Sequence, residues 1–142
     1  MESAHVRDEL GRNNIMAPNT SAEYSIDLEN RLVLVKFGKR VRPQDIGNYA
    51  KHLKMNPLFQ PTFSEIVDLR DVEEMELQAE NFLELADKID PFSPTAKRAF
   101  LVQNTLQSHA ARMHKILRFQ RSIEIFESLE EAEAWVQTNP RA

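Results

Sequence analysis

The sequence predicts an α/β fold: a single small, mixed, mostly parallel five-stranded sheet with about four helices in strand–helix alternation after an N-terminal hairpin. Three observations carry this. Short apolar runs alternate with longer stretches of helical spacing, in the order strand, strand, helix, strand, helix, strand, helix, strand, helix. The three consecutive strand–helix–strand crossovers imply parallel pairing with right-handed connections, which leaves only the first strand antiparallel. A chain of 142 residues with 42% hydrophobic and 28% charged content suits one domain with a real core.

Residues 1–22 mix Asn13, Asn14, Pro18, Asn19, Thr20 and Ser21 with scattered charges and show no sustained period, so they read as a disordered tail. The domain is expected over residues 23–138, with 139–142 fraying. Tyr24, Ile26 and Leu28 share one face of a first strand, and Leu32–Phe37 forms a second, more buried one. The polar turn Glu29-Asn30-Arg31 joins them as an antiparallel hairpin. Pro43 opens the first helix, where a missing N–H costs nothing. Its stripe is Ile46, Tyr49, Ala50 and Leu53, and Asn56-Pro57 stops it. Glu65–Leu69 is a short strand. A second helix is expected from about Leu77 to Ile89, with Phe82, Leu85, Ala86 and Ile89 inward, bounded by Pro91 and Pro94. Ala99–Val102 reads as a buried strand. Asn104 or Thr105 caps a third helix running to about Arg121, with Leu106, Ala110, Met113 and Leu117 facing the core and Ile116 beside them. Ile123–Phe126 is the last strand. Ser128-Leu129-Glu130-Glu131 has the form of a capping box and starts the last helix, with Ala132, Trp135 and Val136 inward.

Composition narrows the chemistry. There is no cysteine, which removes thiolate nucleophiles and cysteine-ligated metal centres and fits a reducing, cytoplasmic location. The three glycines, Gly11, Gly38 and Gly47, are too far apart for a phosphate-cradling loop, and no Gly-x-Ser-x-Gly elbow occurs. No signal-like segment or membrane span is found. No cofactor or metal is expected. The net charge of −4 argues against nucleic acid, but it is a cancellation of segregated blocks. Residues 1–30, 31–55, 64–90, 91–123 and 124–142 carry −4, +6, −8, +6 and −4. In a strand–helix superhelix these blocks are expected to pair opposite charges across helix–helix seams.

A parallel sheet places ligands beyond the carboxyl ends of its strands. That rim would collect Arg40 and Arg70 with Asn104, Thr105, Ser108 and His109, a set suited to a phosphate or carboxylate. His109 and His114, five apart, lack the i, i+4 spacing of a zinc pair and read as structural, with His109 at the core edge nearer the rim. His52 reads as exposed. Leu58, Phe59, Phe63, Phe92 and Phe119 are hard to place inside one small core, which points to a homo-oligomer or a protein partner.

Two segments, EIVDLRDVEEMELQAENFLELAD and IEIFESLEEAEAWV, taken with the element order, resemble the STAS-like, anti-sigma-factor-antagonist-like superfamily. More specifically, Tyr24 to Gln137 resembles the bacterial stand-alone STAS/Sec-fourteen-like proteins, which are related to the CRAL-TRIO lipid-binding domains. The resemblance implies a non-enzymatic binding or regulatory module for a protein partner or small anionic ligand. The alternative it offers is a small lipid or apolar ligand; an enzyme comes third. The phosphorylatable serines of the antagonists fall on Leu77 and Gln78 of MELQAENF, so the resemblance implies no phosphoserine switch here.

Overall fold

The computed structural model describes residues 5–7, 13–17, 20, 22–76, 90–117 and 122–138. The expected helix over 77–89, its inward residues, the Leu77–Gln78 positions and Phe119 lie outside the described residues.

In chain order the elements are β1 (His5–Arg7), β2 (Asn13–Met16), β3 (Glu23–Asp27), β4 (Leu32–Lys36), β5 (Arg40–Val41), α1 (Pro43–Met55), β6 (Ser64–Asp68), β7 (Glu74–Met75), β8 (Lys97–Leu101), α2 (Thr105–Leu117), β9 (Ser122–Phe126) and α3 (Leu129–Val136). The main sheet has the order β1-β2-β3-β4-β6-β8-β9, and β5 and β7 form a separate two-stranded pair. Pairing is antiparallel from β1 through β4 and parallel from β4 through β9. The mixed, mostly parallel architecture is the expected one, but the sheet holds seven strands rather than five. The two additions, β1 and β2, lie in the stretch read as a tail. They are too short and polar to show a period, and what makes them strands is backbone pairing, β2 onto β3 and β1 onto β2. Ala17, just beyond β2, is buried.

The register explains the layering. Val33 and Val35 face one side of β4, while Leu32 and Leu34 face the other. Two rows cross the first face: Ile26, Val33, Glu65, Arg98 and Ile123, then Tyr24, Val35, Val67, Phe100 and Ile125. The larger core cluster lies on this face, where α1 brings Tyr49 and Leu53 and α2 brings Ala111. The smaller cluster on the other face joins Leu32, Ile66, Ala99 and Leu101 to Ala132 and Val136 of α3. The sheet is therefore covered on both sides, as parallel strands require.

Local chemistry sets the helix ends. Pro43 is the first residue of α1, and the buried Asp45 carboxylate accepts from the Arg42 backbone N–H at 2.8 Å and from its guanidinium. Asn104 begins α2 by accepting from the Gln107 N–H at 2.9 Å. At α3 half of the expected box forms: Ser128 Oγ accepts from the Glu131 N–H at 3.4 Å. Lys97 holds the other end, donating to the carbonyls of Trp135 and Thr138 while lying over the Trp135 ring.

The phase of α2 differs from the expected one. Its inward positions are Gln107, Ala110 and Ala111, with His114 half-buried, whereas Leu106 is 42% and Ile116 69% exposed. The helix turns this way because Gln107 is needed inside. Its amide donates to the carbonyls of Arg70 and Val72 at 3.1 and 2.8 Å and accepts from the Gln103 N–H at 2.8 Å. Two bends of backbone are thereby satisfied by one side chain.

The aromatic surplus also finds a home. Phe63 and Phe92 are buried and Phe59 half-buried, with Phe59 edge-on to both rings at 6.2 and 5.1 Å. Only Leu58 of the described members stays exposed. Among the described residues no helix is long and apolar enough to cross a membrane.

Candidate functional site

Between α1, α2 and the first face of the sheet lies an open cavity with about 90 Å³ of room for the centres of water-sized molecules. Its walls are apolar: Phe37, Val41, Ile46, Val67, Leu69 and Met75 among others. One region is polar, formed by Tyr49, Glu65, Asp90, Arg98 and His114.

The polar region begins with strand register. Glu65 and Arg98 are Cα partners on adjacent parallel strands, and both point to the α1/α2 face. Arg98 Nε faces Glu65 Oε1, and Arg98 Nη2 donates to Asp90 Oδ1 at 2.9 Å. All three side chains are at most 10% exposed. Tyr49, one turn before the buried Leu53 on α1, donates its hydroxyl to Glu65 Oε2 at 2.6 Å. Arg98 Nη1 lies 3.0 Å from His114 Nε2. A guanidinium only donates, so Nε2 accepts and His114 carries its proton on Nδ1 as a neutral ring. That ring stands edge-on to Phe100 at 5.3 Å, and the guanidinium lies over Phe92 at 5.2 Å.

Burial dominates the electrostatics. Desolvation raises the Glu65 carboxyl above its ordinary range, against the pull of Arg98 and with a push from Asp90. Desolvation also holds the Tyr49 phenol well above its usual value, reinforced by the Glu65 charge. Burial alone would lower Arg98, but Glu65 and Asp90 overcome it and keep the guanidinium above its ordinary value.

A pH signature follows. With its folded pKa raised above 4.5, Glu65 binds more protons in the native than in the unfolded state. Its contribution to stability is complete below about pH 4.5 and is lost as pH rises through the folded value. Urea denaturation of Glu65→Gln beside the parent between pH 4.5 and 7 should therefore show the difference moving in the variant's favour as pH rises. A shift in the parent's favour would mean that Arg98 outweighs burial.

The residues proposed for an anion rim are distributed differently. Arg70 chelates Asp68 through Nε and Nη2, both at 3.0 Å, and its loop is tied to the start of α2 by Gln103 and Gln107. Arg40 belongs to the β5–β7 pair and bonds Glu76 at 2.5 Å. Asn104 caps α2, Thr105 begins it and is exposed, Ser108 is half-buried and His109 is exposed. The structure thus brings Arg70 next to the Asn104 end of α2 but does not turn His109 toward the core. Of the histidines, His114 is the one at the cavity. His52 is half-buried rather than exposed, with Nδ1 2.7 Å from the Tyr24 hydroxyl, and desolvation lowers its pKa.

Opposite charge blocks do meet, though the pairs described join strands and loops, or helix α2 to strand β9, rather than two helices across a seam. Lys36 pairs with Asp71 at 3.1 Å, Arg40 with Glu76, and Lys115 with Glu124 at 3.2 Å. Among the described residues no group of three or more His, Asp or Glu side chains is placed to hold a metal ion.

Sequence reasoning missed Glu65, Asp90 and Arg98. The available signal was a charge set one position inside each of two otherwise apolar parallel strands, Ser64-Glu65-Ile66-Val67 and Lys97-Arg98-Ala99-Phe100. Such a charge is buried on either face, and so requires a partner.

Comparison with known proteins adds to the fold. No family model matches the chain, and no curated protein matches it. A solved structure does: an uncharacterised DUF3478-family protein with a SpoIIAA-like fold from Shewanella loihica PV-4. It is 19% identical, with a TM-score of 0.59, over 85% of this chain and 98% of that one. The chain has the SpoIIAA-like, that is STAS-like, fold.

Proposed function

We propose that the protein is a binding module that takes a small, largely apolar molecule into the cavity between α1, α2 and the sheet. The observation that carries this reading is the combination of apolar walls with one buried polar region. Ligand sites typically have this composition, mostly apolar with a few placed polar groups. Each polar side chain in that region is already engaged by another, which suits holding and orienting a ligand more than turning one over. The relationship to CRAL-TRIO domains drawn from the sequence points the same way, by analogy of fold. The anionic ligand first implied by the rim has less support, because Arg70 and Arg40 are engaged by Asp68 and Glu76.

The test is saturable binding of N-phenyl-1-naphthylamine, followed by its fluorescence, to the parent and to Ala110→Phe. Ala110 lines the cavity from α2, so a phenyl ring there fills it. Affinity should fall at least tenfold in the variant, with the melting transition still cooperative. Equal affinity in both proteins would place the dye elsewhere and overturn the reading.

A further inference from the structure

The end of α1 and the turn after it form a surface outside the cavity. Met55, in the last turn of α1, is 74% exposed, and Leu58, in the turn that follows, is 51% exposed. The chain is anchored on either side of them. Leu53 is fully buried, and Phe59 stands edge-on to Phe63 and Phe92. Between these anchors Asn56 fixes the turn: its N–H donates to the Leu53 carbonyl and its Oδ1 accepts from the Leu58 N–H, both at 3.0 Å. From Lys54 to Thr62 every residue except Asn56 and Phe59 is exposed.

The charges around this tip indicate what covers it. From Ile46 to Ser64 the chain has two lysines and no acid. Lys51, Lys54 and Met55 stand at i, i+3 and i+4, on one face of α1, and all three are exposed. Among the described residues neither lysine has a carboxylate partner. Arg31 reaches the same loop from the β3–β4 hairpin and donates to Thr62 Oγ1 at 2.7 Å. The hairpin also brings the exposed Glu29, and Asp27, whose carboxylate accepts from Asn30. Cations set around exposed apolar side chains match a surface that is anionic outside and apolar beneath. A protein interface is built instead around aromatic or arginine anchors in a broader apolar core, whereas a fluid headgroup layer needs no matching shape. We propose that this tip docks the protein reversibly on an anionic lipid surface, with Met55 and Leu58 entering the headgroup layer and Lys51, Lys54 and Arg31 facing the lipid phosphates.

The experiment is co-sedimentation at low salt with vesicles of phosphatidylglycerol and phosphatidylcholine in equal parts, and with vesicles of phosphatidylcholine alone. The parent is expected to sediment with the first and not the second, and to be released by about 0.5 M salt. Lys54→Glu should weaken partitioning by about tenfold. Leu58→Asp should weaken it too, and both sites are exposed, so the melting transition should stay cooperative. Lys39→Glu makes the same charge change on an exposed lysine beyond the other end of α1 and should have little effect. Absence of sedimentation with the anionic vesicles overturns the proposal, as does an equal loss in Lys39→Glu, which would mean diffuse attraction. A dimer of the lipid-free protein that Met55→Asp dissociates would also overturn it, since a second copy would then cover the tip. Tighter binding to polyglutamate than to the vesicles would overturn it in favour of an acidic protein.

Discussion

Arg98→Ala should lower the stability of the protein by about 3–5 kcal/mol, the largest effect expected of a single substitution here. Arg98 is the partner of two carboxylates that are no more than 5% exposed. Deleting it removes this cation from both carboxylates in an apolar setting, and it also removes the donor to His114 Nε2 and the cation over Phe92. In a chain of this size the loss corresponds to a drop of roughly 10–20 °C in the melting midpoint. The cost is one of unpaired charge rather than lost packing. Hence Arg98→Met combined with Glu65→Gln and Asp90→Asn should recover most of it, since a buried ion cluster replaced by neutral groups of similar volume is often no less stable. Melting curves for the single and triple variants decide this. A triple variant no more stable than Arg98→Ala would show that shape, not charge balance, is what Arg98 supplies.

Gln107→Ala should cost about 2–4 kcal/mol, unusual for an exchange into Ala within a helix, where Ala has the best intrinsic propensity. The side chain is fully buried and serves three backbone groups: the carbonyls of Arg70 and Val72 and the N–H of Gln103. Arg70 keeps the bond from the Gln103 side chain, but the other two lose their partners and each buried orphan costs about 1–3 kcal/mol. Gln107→Glu should be worse still, because it retains the acceptor, loses both donors and buries a charge. Hydrogen exchange should then quicken at the Gln103 amide and across residues 69–72 before it does in β6 and β8. Uniform quickening over the sheet would instead mean that the loop and the core unfold together.

These two residues also show where sequence reasoning stopped. The alternation in β3 and β4, the Pro43 and Asn56 bounds of α1 and the short apolar runs of β6, β8 and β9 are all periodic signals, and they were enough for the mixed, mostly parallel sheet. The two N-terminal strands were not legible, because their pairing rests on backbone hydrogen bonds and His5–Arg7 and Asn13–Met16 carry no alternation. The face of α2 was misjudged because hydropathy sends Leu106 and Ile116 inward. The helix buries Gln107 instead, where its amide closes three backbone bonds, and lays His114 against Phe100. The apolar wall of the cavity was visible only as core, since Val67, Leu69, Ile46 and Ala50 follow the same periods whether they pack against neighbours or border a space. The charged end was hidden for a different reason. Glu65 and Arg98 meet through register across two strands 33 positions apart in the chain, and Asp90 joins them from a loop. Single-sequence spacing contains none of that.

The proposed binding role requires that a ligand sit in the space between α1, α2 and the sheet. Methyl-resolved NMR of the protein titrated with N-phenyl-1-naphthylamine tests it most directly. The methyl groups of Val41, Ile46, Val67 and Leu69 should shift progressively and saturate together, while those of Leu32, Leu101 and Val136 on the opposite face stay in place. Saturating shifts centred on that opposite face, with the cavity methyls unmoved, would contradict the account.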